Sequence, residues 1–281
     1  MLIGAALGLA IGLVLAFTGA GGGILAIPLL VFGLHLPIQQ AAPVGLAAVG
    51  LAAAVGAGLG LRDGIVRYRA AALIGVSGML IAPLGVALAH RLPNRPLLAA
   101  FACVLAFVAW RMLRGASTPP ATLQPAHPAD TADPVPAVEP AQPCVVDPSD
   151  GRLAWTPRCA RALAGTGIAS GLLSGMLGVG GGFVIVPALT RYTDLDMRSI
   201  QATSLAVIAL VSVSGVAAAA LHGALPWEVA LPFAGGAIAA MLAGRPLAGR
   251  LAAGRLRQAF GATCAVVALL MLARAAGWQV P

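Results

Sequence analysis

Residues 2–34 run for 33 positions without one charged side chain, and residues 70–89 do so for 20. About 20 consecutive apolar residues cross the hydrocarbon core of a bilayer as a helix, so these runs dictate a chain solvated by lipid. The composition agrees: 59% of the 281 residues are hydrophobic and only 9% are charged, against roughly 25% in a soluble domain. Inside hydrocarbon no water bonds the backbone, so each segment must satisfy its own N–H and C=O groups, as a helix does. A transmembrane β-barrel is the other solution, but its period-two alternation is missing from these continuous runs. The predicted fold class is an all-α polytopic membrane protein, with the lipid bilayer as a partner.

The net charge is +8 and all 17 basic residues are arginines. They stand at the ends of apolar runs, where they orient helices and meet headgroups, so nucleic acid is not a predicted partner. Cys103, Cys144, Cys159 and Cys264 form no CxxC and have no histidine at metal-ligand spacing, so no metal is expected. Cys103 and Cys264 fall inside apolar runs and read as packing residues. His35, His90 and His222 lie at span ends, where an interfacial place accounts for them. The start of the chain lacks the positive region of a signal peptide and reads as a retained segment.

The chain divides in three: a first membrane repeat at 1–114, a Pro/Ala-rich linker at 115–160 and a second membrane repeat at 161–281. Nine prolines between Pro119 and Pro148, with no hydrophobic face, make the linker extended or disordered. The flanking halves match without a gap at a constant offset of 159: Gly12-Leu13 with Gly171-Leu172, Gly21-Gly22-Gly23 with Gly180-Gly181-Gly182, Pro28 with Pro187, and Arg91-Leu92 with Arg250-Leu251. Shared Gly/Pro punctuation marks a duplication, which is common among secondary transporters.

Each half opens with an apolar stretch interrupted by glycine: Gly19-Ala-Gly-Gly-Gly23 before Pro28, and Gly178-Val-Gly-Gly-Gly182 before Pro187. Glycine inside a helix costs about 1 kcal/mol relative to alanine, and the proline weakens continuity further. Gly19, Pro28, Gly178 and Pro187 are thus predicted break or hinge positions; a continuous helix using small residues for close packing is the alternative. The arginines separate two versions of the break. If the broken helix still crosses, the halves are parallel and the arginines divide 8 to 9. If the break makes a re-entrant hairpin, the halves are inverted; only Arg91, Arg95 and Arg274 fall on one side and the other 14 on the opposite side. The positive-inside rule prefers the second solution and places the 14 in the cytoplasm. Each half is then a re-entrant pair (2–18 and 24–34; 162–177 and 183–190) followed by three spans (38–61, 68–90, 96–114; 199–221, 227–249, 256–273). Both termini face the periplasm or exterior, the linker faces the cytoplasm, and Cys144 and Cys159 stay reduced.

All nine acidic residues lie in loops or the linker, none in mid-span. Intramembrane cation sites and proton relays use carboxylates, so a cation pump is disfavoured. An anion site needs none, because the helix restarting after each break points unpaired N–H groups and a positive dipole end at it. The predicted substrate-binding set is Gly21, Gly22, Gly23, Gly180, Gly181 and Gly182 with donors Thr18, Gln201, Thr203 and Ser204; Ser174 also lies near. For Thr203-Ser204 a bond to the carbonyl one helical turn back is the competing account. No Ser/His/Asp set, paired carboxylates or P-loop occurs, so no enzyme and no cofactor are expected.

The duplicated Gly19–Gly23…Pro28 and Gly178–Gly182…Pro187 signatures, with Ala202-Thr203-Ser204-Leu205 and the Gly64 and Gly223 turns, resemble the TauE/SafE family of sulfite-exporter-like permeases. The resemblance covers both halves and implies transport of small sulfur-containing anions such as sulfite, sulfoacetate or related organosulfonates. The first half departs from the pattern, with Val44-Gly45 in place of Thr203-Ser204. The expected activity is alternating access around a midplane site between the two broken helices. An anion channel of the same fold and a membrane-embedded thiol- or cofactor-handling protein are the competing readings.

Overall fold

The computed structural model describes residues 2–19, 22–114, 143–144, 155–221, 226–248 and 253–275. Gly21, His127, His222, Gly223 and most of the linker lie outside the described residues. Among those described, all regular elements are helices: α1 Leu2–Thr18, α2 Gly22–Gly33, α3 Ile38–Arg62, α4 Tyr68–Arg91, α5 Asn94–Arg114, α6 Pro157–Leu177, α7 Gly182–Tyr192, α8 Met197–Leu221, α9 Trp227–Ala248 and α10 Ala253–Ala275. Helices α3, α4, α8 and α9 are long and apolar enough to cross a membrane. The third spans expected at 96–114 and 256–273 also form helices, α5 and α10.

Contacts at glycine give the directions. Gly22 lies against Ile11 and Leu15, and Gly33 against Leu7, so α2 doubles back along α1. With 12 residues it reaches about 18 Å, short of the ~30 Å hydrocarbon core. Between halves, Gly8 meets Phe233 and Gly12 meets Ala237, so α1 runs parallel to α9. Gly167 meets Ile74 and Gly171 meets Gly78, so α6 runs parallel to α4. Each of these contacts is the other shifted by 159 residues. On the equivalent helices α3 and α8, Leu46 faces Gly215, Gly50 faces Ser212 and Gly60 faces Ala202. The numbers run oppositely, so these helices are antiparallel, which is the relation that inverted halves require.

The start of α6 lies inside the segment assigned to the linker. Thr156 caps the helix by accepting the Cys159 N–H at 3.1 Å, and Pro157 occupies the first helical position, where its missing N–H costs nothing. At the start of α8, Asp196 accepts the Ser199 N–H at 3.2 Å. Hydrogen bonding with Ser199, first through its side chain, holds the Asp196 carboxyl below the usual range.

Two cysteine expectations are overturned. Cys144 and Cys159 form a disulfide, brought together because the Cys144 N–H donates to the Tyr192 carbonyl at 3.1 Å and so sits beside the α6 start. Compartment reasoning had kept them reduced. Cys103 is exposed, and of the two free cysteines only Cys264 is buried, because Cys103 faces away from the α5–α10 contact.

Two outcomes test this packing. Gly171→Ala puts a methyl into the Gly78 backbone and is expected to cost about 1–3 kcal/mol, read as a lower Tm in detergent. Gly235→Ala, which meets open space, is expected to leave Tm unchanged or raised. Maleimide mass labelling of denatured, unreduced protein is expected to find two thiols, Cys103 and Cys264; four without reductant would contradict the disulfide.

Candidate functional site

The breaks are built alike. Gly19 and Gly178 both hold φ near +70°, 69° and 68°, a left-handed conformation that glycine adopts without steric cost. Each ends its helix by donating its N–H one turn back, Gly19 to Leu15 at 2.8 Å and Gly178 to Ser174 at 2.7 Å. The following helices start earlier than expected, at Gly22 and Gly182. Gly22, Gly23 and Gly182 therefore belong to first helical turns and not to the connection. Pro28 and Pro187 sit inside α2 and α7 without ending them; the cost is one missing bond near the first turn.

The two breaks touch. Gly23 packs on the Val179 carbonyl. A Cβ on Gly180 would stand 3.0 Å from Ile208 and 3.4 Å from Val49, two fully buried residues that are equivalent by the 159 offset. Gly19 rests on Gln201, and Gly178 on Ala42, the residue equivalent to Gln201. The geometry is symmetric; the chemistry is not.

Under the first break lie Ile11 and Leu15, both fully buried. Their counterparts under the second are Ser170 and Ser174, equally buried. Ser170 donates to the Gly181 carbonyl at 3.4 Å. Ser174 Oγ is buried with no hydrogen-bond partner among the described residues. Gly180 and Gly181 both hold positive φ, 76° and 70°, immediately before α7. Left-handed residues leading into a helix turn successive N–H groups toward one concavity, an arrangement suited to an anion. The second break therefore offers backbone N–H groups and the Ser174 hydroxyl, while the Ser170 hydroxyl is engaged by the Gly181 carbonyl. Ser170 was missed from the sequence, although its alignment with Ile11 was readable there.

The other predicted donors divide. Thr18 bonds its own helix, Oγ1 to the Val14 carbonyl at 2.8 Å. Gln201 is half-buried against Gly19 and so belongs to the site's surroundings. Ser204 donates to the Ile200 carbonyl at 2.8 Å, the turn-back bond set out as the competing account. Thr203 Oγ1 accepts the Arg67 N–H at 3.1 Å and pins the α3–α4 connection to α8. A cavity of about 20 Å³ adjoins Gly178, between Gly175, Met176, Pro43 and Leu46. That is room for about one water.

The chain matches the family described as "Sulfite exporter TauE/SafE" over residues 4–271. Two relatives, each named "Probable membrane transporter protein" and from Xylella fastidiosa strains 9a5c and Temecula1, are 28% identical over 268 residues, covering 94% of this chain and 92% of theirs. No solved structure matches it. The chain belongs to the TauE/SafE sulfite exporter family of membrane transporters.

Proposed function

We propose that this protein is a secondary carrier for a small sulfur-containing anion, an oxyanion such as sulfite or a short organosulfonate, bound at the second glycine break. The observation that carries the reading is Ser174, a fully buried hydroxyl without a partner among the described residues, in the last turn of α6 before the break. A buried polar group left unmatched costs about 1–3 kcal/mol, and an anion at α7 offsets that cost. Gly180, Gly181 and Gly182 supply backbone donors, and the absence of mid-span carboxylates removes competing cation chemistry. The chain's family points to the same class of substrate, and no cofactor is called for.

Gly180 packs tightly against Ile208 and Val49, so a carrier, in which the hairpins part to admit the anion, is the reading adopted over a channel. The side holding 14 arginines faces the cytoplasm, and both termini face the periplasm. The Cys144–Cys159 disulfide then lies on the reducing side, where such bonds are uncommon. Both residues are fully buried, which shields the bond from attacking thiolates.

The test is flux of radiolabelled sulfite in proteoliposomes. Ser174→Ala is expected to raise KM about tenfold or more, the worth of a hydrogen bond to a charged ligand, with an unchanged or raised melting temperature in ligand-free protein, because the unmatched hydroxyl is removed. The double variant Ser170→Ile/Ser174→Leu, which copies the first half, is expected to abolish flux in folded protein. Wild-type kinetics from both variants would remove the site.

A further inference from the structure

We propose that the open groove between α5, α6 and α7 binds one anionic phospholipid, its phosphate between Arg161 and Arg191 and an acyl chain along the groove. The groove encloses about 720 Å³ and is lined by one face of each helix, with Phe107, Leu173 and Phe183 among its apolar walls. The hydroxyl of Thr166, which also lines it, is taken up by the Ala162 carbonyl at 2.8 Å. Walls of this kind do not solvate a small anion, but they suit a hydrocarbon chain. Depth fits as well. From Arg161 to Leu173 is 12 residues of α6, about 18 Å, and from Arg191 to Phe183 is 8 residues of α7, about 12 Å. One leaflet of hydrocarbon is about 15 Å, so the groove reaches from headgroup level to mid-membrane.

Charge selects the headgroup. Arg161 and Arg191 line the groove, and both side chains are exposed. Arg161 is folded back on the start of α6, its Nε donating to the Pro157 carbonyl at 3.3 Å. A cation there opposes the helix dipole, and a phosphate relieves both that opposition and the repulsion from Arg191. The first half lacks every part of this arrangement. The residues 159 positions earlier are Leu2 and Phe32. There the Arg274 guanidinium lies 5.5 Å from the Phe32 ring centroid. Duplication built two such places: in the first an arginine from α10 is taken up by Phe32, and in the second Arg161 and Arg191 line an open groove.

The experiment compares full-length protein in nanodiscs of phosphatidylglycerol and of phosphatidylcholine, reading Tm and lipid retained in native mass spectrometry. Phosphatidylglycerol is expected to stabilise the wild type and to stay bound. Arg161→Gln/Arg191→Gln is expected to bind it roughly thirtyfold more weakly, the worth of two basic side chains at an anionic headgroup, with an unchanged Tm in phosphatidylcholine. Gly165→Trp keeps both cations and fills the groove, where a Cβ meets nothing within 4 Å; it is expected to lose the bound lipid while folding normally. Arg158→Gln, outside the groove, should change nothing. Equal retention by the double arginine variant, or by Gly165→Trp, would overturn the proposal. So would full stabilisation by glycerol 3-phosphate alone, which would make the ligand a soluble phosphate and not a lipid.

Discussion

Helices surrounded by hydrocarbon gain nothing by hiding apolar side chains from one another, so close contact between their backbones has to hold them together. Glycine supplies it. Gly12 on Ala237 and Gly171 on Gly78 are one contact used twice, and each binds the hairpin of one half to the fourth helix of the other. The halves are thus interlocked: neither hairpin rests on its own repeat alone, and α3 and α8 cross at the centre through Gly50 and Ser212. The position of each glycine break follows from this interlock, because α1 and α6 can end only where their partners hold them.

Symmetric packing then carries unsymmetric chemistry. At both breaks the leading helix ends in a left-handed glycine, and Gly23 and Gly180 both approach Val49. Beneath the first lie Ile11 and Leu15; beneath the second lie Ser170 and Ser174. Two positions thus carry buried hydroxyls in one of two equivalent hairpins where the other carries aliphatic side chains. The same division appears at the outer surface, where Arg161 and Arg191 stand in place of Leu2 and Phe32.

Much of this was readable before the structure. A constant offset located the repeat and both breaks, and the arginines preferred hairpins to crossings; the antiparallel α3 and α8 have the same meaning. What escaped was contact across the chain. Thr203 and Ser204 read as ligand donors because a hydroxyl pair in a span is conspicuous; Ser204 donates back to the Ile200 carbonyl, and Thr203 accepts the Arg67 N–H, a contact 136 residues away that no local pattern shows. Ser170 looked ordinary because its value lies in facing Gly181, eleven residues on. The disulfide was invisible because Cys144 reaches Cys159 only through pairing with Tyr192 on a third segment.

Inverted halves are the central claim, and equivalent residues test them most directly. Tyr68 and Trp227 differ by 159 and both are exposed, 60% and 56%. Single cysteines at these positions, with Cys103 and Cys264 replaced by alanine and the disulfide kept, are probed with membrane-impermeant maleimide in right-side-out vesicles. Trp227→Cys should react in sealed vesicles and Tyr68→Cys only after the membrane is opened. Labelling of both from the same side would contradict the account.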